Sequence, residues 1–118
     1  QEGYDGEMTI RAVTDDAGAP LPYTIVKTML RIDLPAPLAA GASTTFRVAW
    51  DFPINDMKRA NERTGYEYFP EDDNCTYTIA QWFPRMAPYT DYTGWQHKQF
   101  LGSGEFTLEF GDYTVRLT

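Results

Sequence analysis

Alternation of apolar and polar side chains is the strongest pattern in this chain, and it predicts β-strands. In residues 44–52 every second residue from Phe46 to Phe52 is large and apolar, whereas the residues between them are polar or small. This alternation is typical of a half-buried antiparallel strand, because successive side chains of a strand point to opposite faces. Pro53 ends the run.

Three shorter runs also predict strands: residues 8–13, 23–34 and 75–79. In the first run, Ile10 and Ala12 share a face that excludes Val13. The second run is either two strands or one strand with an irregularity near Thr28 and Met29.

At most one short helix is predicted, within residues 55–65. Asn55 or Asp56 is suited to cap its start, and Gly65 to close its end. Its apolar stripe is thin, so the segment is one or two turns of helix or an exposed loop. Residues 66–74 are predicted to be irregular because of their proline and acidic residues.

The last part of the chain alternates again on both sides of Gly111. One interpretation is a hairpin that pairs Phe110 with Tyr113 and Leu108 with Val115, and the other is a single strand with a bulge at Gly111. Together the patterns predict an all-β fold. We expect a mainly antiparallel sandwich or saddle-like sheet that lacks some of its strands.

Composition and charge narrow the possible partners. The chain has 118 residues, with 10 Lys and Arg against 17 Asp and Glu, and a net charge of −7. An acidic surface argues against binding to nucleic acid or to an anionic membrane. No apolar run approaches the roughly 18 residues that a membrane-spanning helix needs.

Catalytic and metal-binding motifs are missing from the sequence. A catalytic zinc site takes three protein ligands, whereas this chain has one histidine, His97, and one cysteine, Cys75. Neither Ser43 nor Ser103 lies in a G-x-S-x-G turn. The oxygen-rich cluster of Glu71, Asp72, Asp73 and Asn74 is either a calcium ligand set or a solvated turn, and the absent calcium-loop spacing favours the turn.

The segment that follows residues 75–79 is the best candidate for a site. Strand parity extended from Ile79 places Gln81 on the apolar face, where an amide needs partners or a cleft. Trp82 and Phe83 add a large aromatic surface beside Arg85. An ordinary core corner, with Arg85 in a structural salt bridge, is the simpler interpretation of the same residues.

Several motifs in this half of the chain occur together: Q-W-F-P-R-M at residues 81–86, G-W at residues 94–95, G-E-F-T-L-E-F-G-D-Y at residues 104–113, and R-x-x-P-x-x-D from Arg85 to Asp91. In this combination the chain resembles the amino-terminal domain of the aminopeptidase N/leukotriene hydrolase family of zinc metallopeptidases. The likeness extends from about Leu30 onward and is strongest with the bacterial branch of the family.

This resemblance implies a parent enzyme that removes amino-terminal residues from peptides, with zinc bound at an HExxH motif in a separate catalytic domain. That motif is absent here, so we expect residues 1–118 to be a single, partial β-domain that is inactive alone, with no catalytic or metal-binding residues. The chain begins at Gln1 without an initiator methionine and ends in a strand-like run, which also predicts an excerpt. The resemblance assigns Gln81 to binding the free α-amine of the peptide substrate.

The implied partners are the peptide substrate and the catalytic domain, and an uncovered apolar face would let the fragment self-associate. A second hypothesis is a stand-alone β-sandwich that binds carbohydrate on a platform formed by Trp82, Tyr92 and Trp95. A third is an immunoglobulin-like spacer with a purely structural role.

Overall fold

The strands of this protein pair two by two. The computed structural model describes residues 7–60, 64–99 and 108–117. In this part of the chain the elements are β1 (Thr9–Asp15), β2 (Tyr23–Val26), β3 (Met29–Ile32), β4 (Phe46–Asp51), α1 (Met57–Ala60), β5 (Gly65–Phe69), β6 (Asn74–Thr78), β7 (Tyr89–Thr90) and β8 (Gly94–Trp95). The strands form two-stranded sheets in the pairs β1–β4, β2–β3, β5–β6 and β7–β8. The predicted all-β, antiparallel class with one short helix is confirmed.

The chain consists of two compact units, each with most of its residue contacts inside itself. The first comprises residues 1–23 and 32–83, and the second comprises residues 24–31 and 84–118. The first unit contains the β1–β4 and β5–β6 sheets, and the second contains the β7–β8 hairpin and most of the β2–β3 ribbon.

The β1–β4 sheet confirms the alternation predicted for β4 and corrects the one predicted for β1. In β4 the apolar residues are half-buried and the residues between them are exposed. In β1 the register shifts at Arg11, so that Ile10 faces Trp50 while Ala12 faces Ala49. Such a bulge reverses the side-chain parity beyond it. Val13 is therefore buried and Ala12 exposed, the opposite of the prediction.

The core of the first unit lies where the chain after β1 turns back and packs against that strand. In the described part of the first unit, Val13 and Leu21 are the buried apolar side chains, and the backbone N–H of Leu21 donates to the carbonyl oxygen of Val13 at 2.9 Å. The turn that follows β1 is stabilised by Asp15, whose carboxylate accepts the N–H of Ala19 at 2.8 Å. The core is small, and many large apolar side chains remain exposed.

The β2–β3 ribbon consists of two strands, the first of the two alternatives. The left-handed backbone of Lys27, with φ of 53°, joins them. The side chain of Gln99 holds this turn: its amide donates to the carbonyl oxygen of Val26 at 2.8 Å and accepts from the N–H and hydroxyl of Thr28 at 3.1 and 2.8 Å.

Helix α1 lies within the predicted range, and β5 begins at Gly65. Asp56 caps the helix by accepting the N–H of Lys58 at 2.9 Å. Gly65 does not close the helix, because it is the first residue of β5. A side chain at Gly65 would lie 2.4 Å from the carbonyl oxygen of Asn55, so only glycine fits this approach.

Two predictions about strands beyond the helix are wrong. Residues 65–69 form β5 rather than an irregular segment. Pro70, which was expected to prevent regular structure, lies after the strand, in the turn to β6. Neither the hairpin nor the single strand predicted around Gly111 is present in residues 108–117. Phe110 and Leu117 are 101% and 91% exposed there, so their alternation does not reflect burial in this structure. The rest of that prediction, at residues 105–107, lies outside the described residues.

Candidate functional site

Gln81 lies in an exposed segment just beyond the end of β6. The strand ends at Thr78, and Gln81 has a left-handed backbone with φ of 52°. A residue in this conformation does not continue the parity of a strand. The carboxamide is exposed instead of facing an apolar surface.

The residue before Gln81 is fixed by a reciprocal pair of hydrogen bonds. The N–H of Ala80 donates to the hydroxyl oxygen of Thr64 at 2.7 Å, and the same hydroxyl lies 3.2 Å from the carbonyl oxygen of Ala80, to which it donates. Thr64 directly precedes β5, whose Gly65 pairs with Thr78 of β6. The β5–β6 sheet thus fixes the chain on the amino-terminal side of Gln81.

The residue after Gln81 is fixed from β4. The indole Nε1 of Trp50 donates to the carbonyl oxygen of Trp82 at 2.7 Å, and the two rings lie 6.2 Å apart. Trp82 also packs edge-on against Phe83, at 4.9 Å between ring centroids. Gln81 therefore lies between two hydrogen-bonded neighbours. Ala80 is held beside the β5–β6 sheet, and Trp82 is held by the β1–β4 sheet.

The chemistry available at Gln81 is that of a neutral amide. Its oxygen accepts two hydrogen bonds and its nitrogen donates two. A carboxamide oxygen suits an ammonium group, which offers donors only. The net charge of −7 favours the approach of a cationic group. A left-handed backbone at a non-glycine residue costs about 1–2 kcal/mol, and such strain is concentrated at functional sites.

The residues tested for metal or nucleophilic chemistry do not assemble into a site. Cys75 is exposed on β6, and the Nδ1 of His97 lies 2.8 Å from the carbonyl oxygen of Trp95 in the second unit. Within the described ranges, no three His, Cys, Asp or Glu side chains are placed to hold a metal ion. Ser43 lines an open groove of about 590 Å³ beside Asp16 and Leu34, whereas Ser103 lies outside the described residues.

Glu71, Asp72 and Asp73 lie in the turn between β5 and β6, and Asn74 is the first residue of β6. Asn74 accepts the N–H of Cys75 at 2.9 Å, and the hydroxyl of Tyr68 donates to Asp73 at 2.8 Å. The hydrogen bond to Asp73 raises the pKa of Tyr68 above its usual value, because it stabilises the protonated phenol. These contacts are typical of a solvated turn.

The aromatic residues of the carbohydrate hypothesis differ in their surroundings. Trp82 is half-buried against Trp50, whereas Tyr92 is 95% exposed at the tip of the β7–β8 hairpin. Trp95 is 53% exposed and packs against Tyr89 at an interplanar angle of 77°. The rings of Tyr89 and Trp95 are close to perpendicular and do not form a flat platform.

Comparisons of the chain with protein-family models, with curated proteins and with solved structures found no match. In the described part of the structure, no helix has the length and apolar character needed to cross a membrane.

Sequence reasoning did not identify the residues that hold Gln81 in place. Trp50 was assigned to the apolar face of β4, and its indole N–H has no signature in the local pattern. Thr64 was assigned no role, because a hydroxyl that bonds a backbone 16 residues away leaves no periodic signal. Only the three-dimensional pairing of β5 with β6 brings Thr64 to Ala80.

Proposed function

We propose that this chain is the non-catalytic amino-terminal β-domain of a zinc aminopeptidase of the aminopeptidase N/leukotriene hydrolase family. In this proposal the domain covers the active-site cleft, and Gln81 binds the free α-amine of the peptide substrate. Zinc belongs to the catalytic domain of the parent enzyme, and the fragment is inactive alone. The family motifs at residues 81–86 and 104–113 are the basis of the proposal.

The structural observation that supports this role is the way Gln81 is displayed. Its neighbours Ala80 and Trp82 are anchored by Thr64 and Trp50, while its own amide is exposed in a left-handed conformation. An anchored, solvent-facing amide can contact a ligand at little entropic cost. The exposed apolar side chains elsewhere in the chain suit a domain that covers another domain or associates with a second copy of itself.

The experiment is a kinetic comparison in the parent enzyme. An aminoacyl-arylamide substrate is compared between the parent and its Gln81→Ala variant, with zinc chelation to verify that the activity depends on zinc. We expect KM to rise at least about tenfold, because a hydrogen bond to a charged group contributes about 1.5–3 kcal/mol. Lys27→Ala is the matched control, since Lys27 is an exposed, left-handed residue of the β2–β3 turn.

Three results would contradict the proposal. The first is a parent protein without zinc-dependent aminopeptidase activity, and the second is hydrolysis of the substrate by the 118-residue chain alone. The third is an unchanged KM in Gln81→Ala. That result would mean that Gln81 does not bind the substrate, and the family assignment would then depend on the first two results.

The carbohydrate-binding alternative has weaker support. Sugar rings stack on flat aromatic surfaces, and the 77° angle between Tyr89 and Trp95 provides none. Tyr92 and Trp95 are nevertheless accessible, so a titration with simple glycosides tests this alternative directly.

A further inference from the structure

The β7–β8 hairpin holds two large aromatic side chains against each other. Tyr89 and Trp95 stand directly opposite in the antiparallel pair, so both side chains project from the same face. Their ring centroids are 5.3 Å apart and their planes meet at 77°. The side chains of Tyr89 and Trp95 thus form an aromatic corner.

The backbone of the hairpin fixes this corner. The N–H of Gln96 donates to the carbonyl oxygen of Pro88 at 2.9 Å, which continues the strand pairing beyond Trp95. Across the turn, the hydroxyls of Thr90 and Thr93 are hydrogen-bonded at 2.7 Å, and the N–H of Thr93 lies 3.3 Å from the Thr90 hydroxyl. These contacts hold the corner in place before any ligand binds.

Gly94 brings the two rings together. Its φ of 72° is favourable only for glycine, and the ring of Tyr89 lies 3.9 Å from the position that a Cβ atom would take. The start of β8 therefore uses a left-handed glycine, and the Tyr89 ring lies at an ordinary van der Waals distance from it.

Both walls of the aromatic corner are accessible to a ligand. Tyr89 is 58% exposed and Trp95 is 53% exposed. The face of an aromatic ring is electronegative and attracts a cation within about 6 Å of its centroid. With near-perpendicular rings at this separation, a cation placed between the two rings can lie within about 6 Å of both centroids.

We propose that the aromatic corner of Tyr89 and Trp95 binds a quaternary ammonium group. A primary ammonium is strongly hydrated and needs hydrogen-bond acceptors, whereas the two ring faces supply only apolar, electronegative surface. A methylated ammonium gives up little hydration and fills such a corner with its methyl groups. The chain carries a net charge of −7, and Asp91 lies in the turn of the same hairpin. Both favour a cation over an anion.

This site is separate from the one assigned to Gln81. The aromatic corner lies in the second unit, whereas Gln81 lies in the first. Its ligand is a methylated cation rather than the α-amine of a peptide. The inference therefore does not depend on the aminopeptidase proposal, and either can fail without the other.

The test uses a matched pair of ligands with the 118-residue chain. Choline and its neutral carbon isostere, dimethylbutanol, have nearly the same shape and differ in charge. Each is titrated while the indole N–H signal of Trp95 is followed by NMR, assigned by its loss in Trp95→Leu. We expect choline to bind with a dissociation constant on the order of 1–10 mM, and dimethylbutanol to bind about tenfold more weakly or worse.

Variants locate the site. Choline binding to the variants is followed on the backbone amide signals of residues 89–95, because the Trp95 variants lack the indole signal. Tyr89→Leu and Trp95→Leu should each weaken choline binding at least about fivefold, and Trp95→Phe should retain part of it because a ring face remains. Tyr92→Leu is the control, since it removes an exposed aromatic ring of the same hairpin outside the corner. The dispersion of the remaining amide signals shows that each variant is folded.

Three outcomes would overturn the inference. Equal affinity for choline and dimethylbutanol would mean that the corner responds only to apolar shape. Unchanged choline binding in the folded Trp95→Leu variant would place the site elsewhere. Shifts of the Trp95 signal with methyl glucoside but not with choline would assign the hairpin to carbohydrate.

Discussion

The indole N–H of Trp50 and the carbonyl oxygen of Trp82 are joined by a hydrogen bond of 2.7 Å. Trp50 faces Ile10 across the β1–β4 sheet, so this bond connects that sheet to the segment that carries Gln81. The two indole rings are tilted by 35° at 6.2 Å, and both are half-buried. The position of Gln81 therefore depends on a side chain 31 residues earlier in the sequence.

Replacing Trp50 by phenylalanine removes this hydrogen bond and retains an aromatic ring. We expect Trp50→Phe to lower the free energy of unfolding by about 1–3 kcal/mol, from the lost bond and the smaller ring. Urea denaturation measures this change, and amide exchange near Trp82 should become faster. Tyr68→Phe, which removes an exposed hydrogen bond to Asp73, should cost less. Equal losses in the two variants would contradict the anchoring role of Trp50.

Gln81 should be replaceable by glycine with a gain in stability. Its φ of 52° is unfavourable for a residue with a Cβ atom, and glycine adopts it without strain. We expect Gln81→Gly to raise the free energy of unfolding by about 0.5–1 kcal/mol, while removing the amide. Lys27→Gly should show a similar gain, because Lys27 has φ of 53°. A loss of stability in Gln81→Gly would mean that the side chain itself holds the segment.

Gly65 should tolerate no side chain. An added Cβ would lie 2.4 Å from the carbonyl oxygen of Asn55 and 2.7 Å from the Cγ of Met57. The nearer atom is backbone, which also accepts the N–H of Tyr66 at 2.8 Å. We expect Gly65→Ala to destabilise the protein by about 2 kcal/mol or more.

The matched control for Gly65 is Gly111→Ala. An added Cβ at Gly111 would meet only the ring of Tyr113, at an ordinary 3.9 Å. A change within about 0.5 kcal/mol is expected there. Thermal denaturation followed by circular dichroism compares the two variants. A similar small effect at Gly65 would show that the junction of α1 and β5 opens without cost.

Tyr68 should ionise at a higher pH than an ordinary tyrosine. Its hydroxyl donates to Asp73, and this bond raises the pKa of the phenol. Because the folded-state pKa lies above the unfolded value, the stabilising contribution is complete below the ordinary tyrosine pKa of about 10 and is lost as pH rises through the folded value.

The titration of Tyr68 is measured by NMR of its ring carbon. Asp73→Ala should shift its pKa down toward the ordinary value, whereas Asp91→Ala is the control, since Asp91 lies in the turn of another hairpin. A Tyr68 pKa that is unchanged in Asp73→Ala would contradict the hydrogen bond as the cause.

The amide of Gln99 should be sensitive to replacement by a carboxylate. It donates to the carbonyl oxygen of Val26 and accepts from Thr28. Gln99→Glu keeps the acceptor but sets a negative oxygen against the Val26 carbonyl, so we expect a loss of about 1–3 kcal/mol near pH 7. The introduced carboxyl becomes a donor when protonated, and stability should recover as pH falls toward about 4.

Amide exchange at Thr28 and urea denaturation at two pH values follow this effect. Gln96→Glu is a comparison at the hairpin of the second unit, where the amide nitrogen lies 3.2 Å from the carbonyl oxygen of Gly94. A pH-independent loss in Gln99→Glu would contradict the donor role of the Gln99 amide.

Alternation predicted β4 correctly because the extra residue of the bulge lies in β1 and β4 keeps its period of two. In β1 the same reasoning failed beyond Arg11, since the extra residue of a bulge has no signature in the composition of the strand. Arg11 binds both carboxylate oxygens of Asp51, and this contact is visible only when the two strands are aligned. Period-two patterns thus located β1 and β4 but not the register between them.

The sequence predicts a candidate site at Gln81, but it does not predict the conformation of that segment. Parity arguments assume an extended backbone, and the left-handed turn at Gln81 breaks that assumption. The hairpin predicted at Gly111 was wrong for a related reason. Alternation in residues 108–117 describes a capacity to pair, whereas a strand forms only where a neighbouring backbone supplies the hydrogen bonds.

The bulge at Arg11 also affects how related sequences are to be aligned. A relative without the bulge would have one residue fewer in β1, and an alignment without a gap would match its core position to Ala12 instead of Val13. Insertions and deletions on either side of Arg11 are therefore not equivalent. Removing one residue before Val13 straightens the strand, whereas removing one after it moves the turn that brings Leu21 to the core.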